Sequence, residues 1–321
     1  MTLREQIRRN YLMTTALLAF FAVLIGGVSA ALYAIYGTGA AIAVVIGGIA
    51  WALFSWFAST GVVSAVTGAQ PVTKADQPEL YRIVENLSIA AGLPTTPEVR
   101  IVDDPAPNAF AAGLRPQSSY LGVTTGLLRT MPKRELEAVI GHEISHVRHR
   151  DTYLMTMATI FAGVIALVAD IGFRMLIFGG GRSRRGGGGA LVAVLAIVGL
   201  LLAPYAALLL RMSLSRRREF LADAGSAEIL NDPEAMALAL RRLQLDTTTV
   251  QYADASVAHL WVESPTSRVE TERTGVSALS GLFDTHPPLD KRIAALEQAG
   301  GFTTPETLPA HEPFGVELGL A

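Results

Sequence analysis

The sequence has no cysteine, which excludes disulfide cross-links and thiolate metal ligands and leaves the redox compartment unmarked. Charge is scarce as well. Only 17% of the residues are Asp, Glu, Lys or Arg, against 50% hydrophobic, and the formal net charge is −2. Without an excess of Lys and Arg there is no electrostatic footprint for a nucleic-acid partner. The scarcity is uneven, because none of the four charged residue types occurs between Arg9 and Lys74. That stretch is long enough for two helical spans of roughly 20 residues each. They fall at Leu12–Ala34 and Ala40–Ala58, joined through Gly37-Thr38-Gly39 as an antiparallel hairpin. A cleaved signal peptide is the competing reading, since Arg4, Arg8 and Arg9 form a basic start and Val28-Ser29-Ala30 has the character of a cleavage site. A signal peptide carries an apolar core of roughly 7–15 residues. Here the apolar run is longer and leads directly into a second, which favours a retained anchor.

From Lys74 to Asp151 the composition is mixed. A helical pattern at Gln77–Ala91 precedes short alternating segments around Glu98–Val102, Ala109–Leu114 and Ser119–Thr124, the pattern of a helix leading into a small sheet. A second apolar block follows, Thr152–Phe178 and Ala190–Leu210, split by a glycine- and arginine-rich connector at Gly179–Gly189. Pro204 is expected to kink its helix without ending it. Beyond Met212 the chain resumes helical patterns at Glu219–Leu230, Pro233–Leu245 and Pro288–Gln298. The expected organisation is an N-terminal transmembrane hairpin (1–60), the first part of a catalytic domain (61–151), a second membrane hairpin (152–211), the second part of the catalytic domain (212–300) and a flexible tail (301–321) rich in Pro and Gly. The fold class is mainly α with a small β-sheet, an α+β catalytic domain with four transmembrane or membrane-embedded helices.

The most informative residues are His142-Glu143-Ile144-Ser145-His146. Residues i and i+4 lie one above the other on a helix, so both imidazoles can reach one tetrahedral metal. Glu143, one position further round, can take a proton from a metal-activated water without being a ligand. The preceding run from Pro132 to Gly141 reads as the first half of that helix, with proline tolerated in the opening turn. Two histidines leave a catalytic zinc one ligand short. His149 lies on nearly the same face, but three ligands from one helix would crowd the ion, and His259, His286 and His311 are isolated in sequence. Glu219 in Arg218-Glu219-Phe220-Leu221-Ala222-Asp223 is the better third ligand, with Asp223 one turn on to orient a ligand histidine. Read without the histidines, the same acids form a solvated helix face beside Arg216, Arg217 and Arg218.

Four elements in this order, Pro107-Asn108-Ala109-Phe110-Ala111, the His142–His146 motif, Glu219–Asp223, and Thr285-His286-Pro287-Pro288 followed by Arg292, resemble the HtpX family of membrane-embedded zinc metallopeptidases, relatives of the CAAX prenyl proteases. The likeness extends over nearly the whole chain. It implies a gluzincin-like domain holding one zinc ion through His142, His146 and Glu219, with Glu143 as general base, in agreement with the spacing. It further implies that Asp223 supports a ligand histidine, that His286 and Arg292 stabilise the oxyanion, and that Asn108, Ala109 and Phe110 belong to an edge strand pairing with the substrate backbone. Residues alone would make His286 a turn residue and Arg292 a solvated helix charge.

His146 precedes the second apolar block and Glu219 follows it, so that block must cross the membrane an even number of times or dip in and return. Twelve Lys and Arg residues, namely Arg4, Arg8, Arg9, Lys74, Lys133, Arg134, Arg148, Arg150, Arg211, Arg216, Arg217 and Arg218, lie on the catalytic side, against four, Arg174, Arg182, Arg184 and Arg185, on the other. That bias puts the active site in the cytoplasm of a multi-pass inner-membrane protein. Asp170 and Arg174, one turn apart, are expected to pair near the boundary. The expected function is peptide-bond hydrolysis of misfolded or unassembled membrane proteins, a quality-control and stress-response role whose partners are polypeptides and the lipid bilayer. The alternatives are a processing protease for specific peptides and a non-catalytic scaffold or transporter with a vestigial zinc site. Replacing Glu219 by Ala should strip zinc from the detergent-purified protein; full metal content in that variant would break the link between the two halves of the site.

Overall fold

The computed structural model describes residues 67–113, 115–153, 216–248, 287–308 and 311–317, with 201, 262 and scattered positions between 12 and 64. The chain divides into two compact units, one of Met1–Ser59 with Leu154–Arg211, the other of Thr60–Tyr153 with Met212–Ala321. In the first unit, the described positions between Leu12 and Phe54 are helical except Gly37, which interrupts the helix at φ +84°. Large apolar side chains there, including Val23, Tyr33, Ile46 and Phe54, are exposed. Apart from such scattered positions, the four expected spans, the connector, Pro204 and the Asp170–Arg174 pair lie outside the described residues. Among the described residues no helix is long and apolar enough to cross a membrane.

The second unit is mostly helical with a small mixed sheet. Strand β1 (Gln70–Pro71) leads through helix α1 (Pro78–Ala90) to β2 (Glu98–Val102), β3 (Ala109–Ala112) and β4 (Tyr120–Thr124). The sheet order is β1-β2-β4-β3, with β2 and β4 parallel and the outer pairs antiparallel. Then come α2 (Thr125–Thr130) and α3 (Lys133–Arg148). Helix α4 is described over residues 216–230, and α5 (Pro233–Leu245), α6 (Leu289–Gly300) and α7 (Phe314–Glu317) follow. The sequence pattern predicts α1, β2, α3 and α5 to within a residue or two. It does not anticipate α2, a six-residue helix capped by the Thr124 side chain, which is shorter than a periodic pattern needs to show.

Local chemistry explains the boundaries. Proline occupies the first turn of α1 and of α5, where its missing N–H costs nothing. Asp232 caps α5 by accepting the Ala235 N–H. Asn231, at φ +52°, closes α4 in a left-handed conformation that asparagine tolerates. Helix α3 is the centre of the unit. One stripe, Leu136, Val139, Ile140, Ile144 and Val147, joins Leu80, Ile83, Val84 and Leu87 of α1 and one face of the sheet in the main core. Ala138 packs into a second cluster with Met236, Leu240, Ile293 and Leu296 of α5 and α6. Glu135 of α3 and Arg242 of α5, both buried, form a bidentate ion pair between these layers.

The segment expected as a flexible tail is docked instead, over the part that is described. The Phe314 N–H donates to the Met131 carbonyl at 2.9 Å, and its ring is buried in the main core. His311 Nε2 lies 2.6 Å from the Thr130 carbonyl. Composition averages over twenty residues, whereas a single buried ring with its own backbone anchor holds the segment. Truncating Phe314 to Ala should therefore cost about 3–5 kcal/mol in denaturant unfolding. A loss within the roughly 0.5 kcal/mol typical of surface changes would show that the segment is not docked.

Candidate active site

One face of α3, Ala138, Gly141, His142, Ser145 and His149, follows helical spacing and meets α4. The approach is close because the contacting residues are small. A Cβ on Gly225 would lie 2.0 Å from Ser145 Oγ, and one on Gly141 2.9 Å from Ser226 Oγ. Ser226 Oγ also donates to the Ala138 carbonyl at 2.6 Å. This seam carries Glu219 to the histidines. The two Nε2 atoms of His142 and His146 are 3.1 Å apart, and the Glu219 carboxylate lies 3.6 Å from the first and 3.5 Å from the second.

Two imidazoles and a carboxylate converging in this way can hold a metal ion. A tetrahedral zinc with bonds of about 2.0–2.1 Å keeps neighbouring ligand atoms about 3.3 Å apart; here Glu219 Oε2 is 3.6 Å from His142 Nε2, Glu219 Oε1 is 3.5 Å from His146 Nε2, and one donor atom from each residue lies within 4.8 Å of the others, with three protein ligands leaving the fourth corner open. Donor type and spacing therefore fit zinc.

Behind the donor atoms each histidine is held by an acid. His142 Nδ1 is 2.9 Å from Asp223 Oδ1, and His146 Nδ1 is 3.1 Å from Asp151 Oδ2. Each acid is in turn held by an arginine. Arg292 donates to both oxygens of Asp223, at 2.6 and 2.8 Å, and Arg218 donates to Asp151. All four of these acids and arginines are buried. Burial opposes charge on the imidazoles, but the carboxylates of Asp223 and Glu219 outweigh it and raise the pKa of His142. Burial is likewise overcome at His146, which Asp151 and Glu219 push up to about 10. Imidazoles bind a metal only in their neutral form, so metal affinity rises with pH.

Arg292 departs from the sequence expectation. It is fully buried behind His142, with Nη1 3.1 Å from Glu219 Oε2 and donating to the Val262 carbonyl, while Nε and Nη2 hold Asp223. Its donors face the ligand-bearing side of the site, so it is not a solvated charge. His286 lies outside the described residues, as does His259. His149 turns away from the cluster, its Nδ1 2.7 Å from the Ser145 carbonyl, and His311 docks the C-terminal segment. Asp151 and Arg218 were not singled out as a pair by sequence. The chain reaches Asp151 through Arg150 at φ +61°, a left-handed residue just past α3 that no spacing rule reveals.

Glu143 faces the other side of the cluster. It is buried, and its Oε1 has no hydrogen-bond partner among the described residues. Burial raises its pKa, while the neighbouring histidines and the Ala111 amide pull the other way. Ala111 lies in β3, the last strand of the sheet. At the outer edge of β3 the Val262 N–H donates to the Ala109 carbonyl at 2.9 Å. Asn108 is buried beside it, its N–H donating to Thr124 Oγ1 and its Oδ1 accepting the Ala109 N–H. Phe110 turns to the opposite face of the sheet, edge-on to Tyr120.

The sequence profile of peptidase family M48 matches residues 74–299. The chain is 38% identical to the Protease HtpX homolog of Limosilactobacillus fermentum over 304 residues, covering 92% of this chain and 99% of that one. It is 39% identical to the Protease HtpX homolog of Streptococcus gordonii over 302 residues, with the same coverage. Against that of Tropheryma whipplei it is 40% identical over 235 residues, 73% of this chain and 77% of the relative. Among solved structures it is similar to S. mikatae Ste24p, with a TM-score of 0.51 and 17% identity, covering 90% of this chain and 66% of that one. At that identity the likeness concerns the fold alone.

The small-residue seam generates a test. Gly225→Val should force α4 away from Ser145 and sharply lower metal content, read by metal analysis, in protein that keeps its helical circular dichroism; unchanged metal loading would show that the close approach is not what delivers Glu219.

Proposed function

The chain belongs to peptidase family M48 and is a metallopeptidase, and on that premise we propose that it is a membrane-anchored zinc endopeptidase cleaving extended segments of misfolded or unassembled membrane proteins at the cytoplasmic face. The observation that carries the reading is the convergence of the His142, His146 and Glu219 donors beside Glu143, whose buried Oε1 has no partner among the described residues. His142, His146 and Glu219 would hold the zinc ion, which would supply Lewis-acid chemistry to the scissile carbonyl and to the attacking water. Glu143 accepts the proton of the attacking water at its free oxygen and delivers it to the leaving amine. A carboxyl raised by burial suits both steps, because it takes the proton readily and releases it in turn.

Asp223 holds His142 through Nδ1, so that Nε2 keeps its aim. Arg292 locks Asp223 and Glu219 in this reading and leaves the developing oxyanion to His286. The substrate adds to β3 as a further strand, with backbone pairing giving tolerance for many sequences. Docking along Ala109 then exchanges with the hydrogen bond that Val262 makes there.

Membrane anchoring is supported by the charge-free stretch between Arg9 and Lys74 and by the exposed apolar side chains of its described helical positions, which need lipid or protein to cover them. The cytoplasmic orientation is supported by the distribution of Lys and Arg. That bias survives the removal of Arg218, which is buried in an ion pair with Asp151. Glu143→Gln should lower casein cleavage by the detergent-purified enzyme about 10²–10⁴-fold while zinc stays bound; near-normal proteolysis in that variant would remove Glu143 from the chemistry.

A further inference from the structure

We propose that Asp151 and Arg218 are positioning residues of the metal centre, an acid and a base acting through His146 as Asp223 and Arg292 act through His142. The inference rests on the zinc reading above and extends it to residues outside the two metal-binding motifs. Three observations support it. First, His146 turns its Nε2 to the metal position, 3.1 Å from that of His142, and its Nδ1 lies 3.1 Å from Asp151 Oδ2, so the acid holds the remote end of the ring. A ligand imidazole fixed by an acid at its remote nitrogen has its tautomer set and its basicity raised.

Second, the clamp is held in place at a local conformational cost. Arg150 adopts φ +61° between the end of α3 and Asp151, a conformation uncommon outside glycine. The turn carries Asp151 back to a ring five positions earlier in sequence. Third, the outer oxygen of Asp151 is held by Arg218, which is itself buried and is the immediate neighbour of Glu219 on α4. One helix therefore supplies a ligand, Glu219, an acid for the first histidine, Asp223, and a base that anchors the acid of the second, Arg218. A displacement of α4 would disturb all three metal ligands together.

A buried ion pair alone is weak evidence for a functional role, since such pairs are often replaceable by apolar residues. The unit contains an internal comparison: Glu135 and Arg242 form another buried ion pair, this one bidentate, whose hydrogen bonds involve neither histidine. The test uses full-length detergent-purified protein and two readouts, zinc affinity by chelator competition and the visible spectrum of the cobalt-substituted enzyme. Asp151→Asn combined with Arg218→Gln removes the pair without stranding a charge. It should weaken zinc binding about 10–100-fold and shift the cobalt bands. Arg218→Lys, which keeps a donor for Asp151, should restore most of the affinity. Glu135→Gln with Arg242→Gln should lower the melting temperature and leave both metal readouts unchanged. If the Asp151/Arg218 variant retains the wild-type affinity and cobalt spectrum while Glu219→Ala loses zinc, the positioning role is overturned and the zinc site stands. If the wild-type protein binds no zinc, both readings fall. Should the double variant not fold, Asp151→Asn alone carries the same expectation, and an unchanged cobalt spectrum in it overturns the proposal.

Discussion

The close approach of α4 to α3 is the constraint on which the rest of the second unit depends. Gly225 against Ser145 and Gly141 against Ser226 let the helices meet almost backbone to backbone, with the Ser226 hydroxyl stitched to the Ala138 carbonyl. At that separation the acids and arginine of α4 enter a space already occupied by two imidazoles. Charges taken out of water in this way are costly unless each finds a partner. Partners are found for each: His142 with Asp223, His146 with Asp151, Asp223 and Glu219 with Arg292, and Asp151 with Arg218. The buried charges are thus paired within the seam, while Ala227, Ile229 and Leu230 of α4 pack against the apolar clusters beside it.

The sheet contributes through its last strand. Alternation places Ala109 and Ala111 in the main core and Phe110 and Ala112 in a cluster on the opposite face, so β3 is covered on both sides. Its remaining edge runs toward Glu143, with Val262 hydrogen-bonded to Ala109 and held from the other side by Arg292. One arginine from α6 thus braces an acid that orients a histidine, a carboxylate that converges on the metal position, and the residue lying along the strand edge. Such shared partners make the site respond as a unit, and substitutions within it should not be additive.

Much of this was legible in the residues before any coordinates. The i, i+4 histidines, Glu143 between them and the later Glu219 with Asp223 were readable because helical spacing converts sequence distance directly into side-chain direction. The positions of β2, β3 and β4 along the chain and the extents of α1 and α5 followed from periodicity. Arg218, Arg292 and Phe314 were misread for a common reason. An arginine on a short helix looks solvated, and a phenylalanine among Pro and Gly looks stranded, until the element that covers it is known. Asp151 was hidden because the turn at Arg150 breaks the spacing on which the reading relied.

The sequence by itself determined which helix presents two imidazoles and a base, which later segment brings an acid, and where charge is absent for long enough to suit a bilayer. These are properties of neighbours along the chain, set by backbone geometry and composition. Only the tertiary structure decided that Glu219 meets both histidines at ligand spacing, that each histidine is backed by an acid and an arginine, and that Val262 lies on the edge of β3. Apart from the turn that returns Asp151 to His146, those outcomes belong to residues tens to more than a hundred positions apart, and they depend on how closely two helices can pack, which side-chain volume at the contact governs.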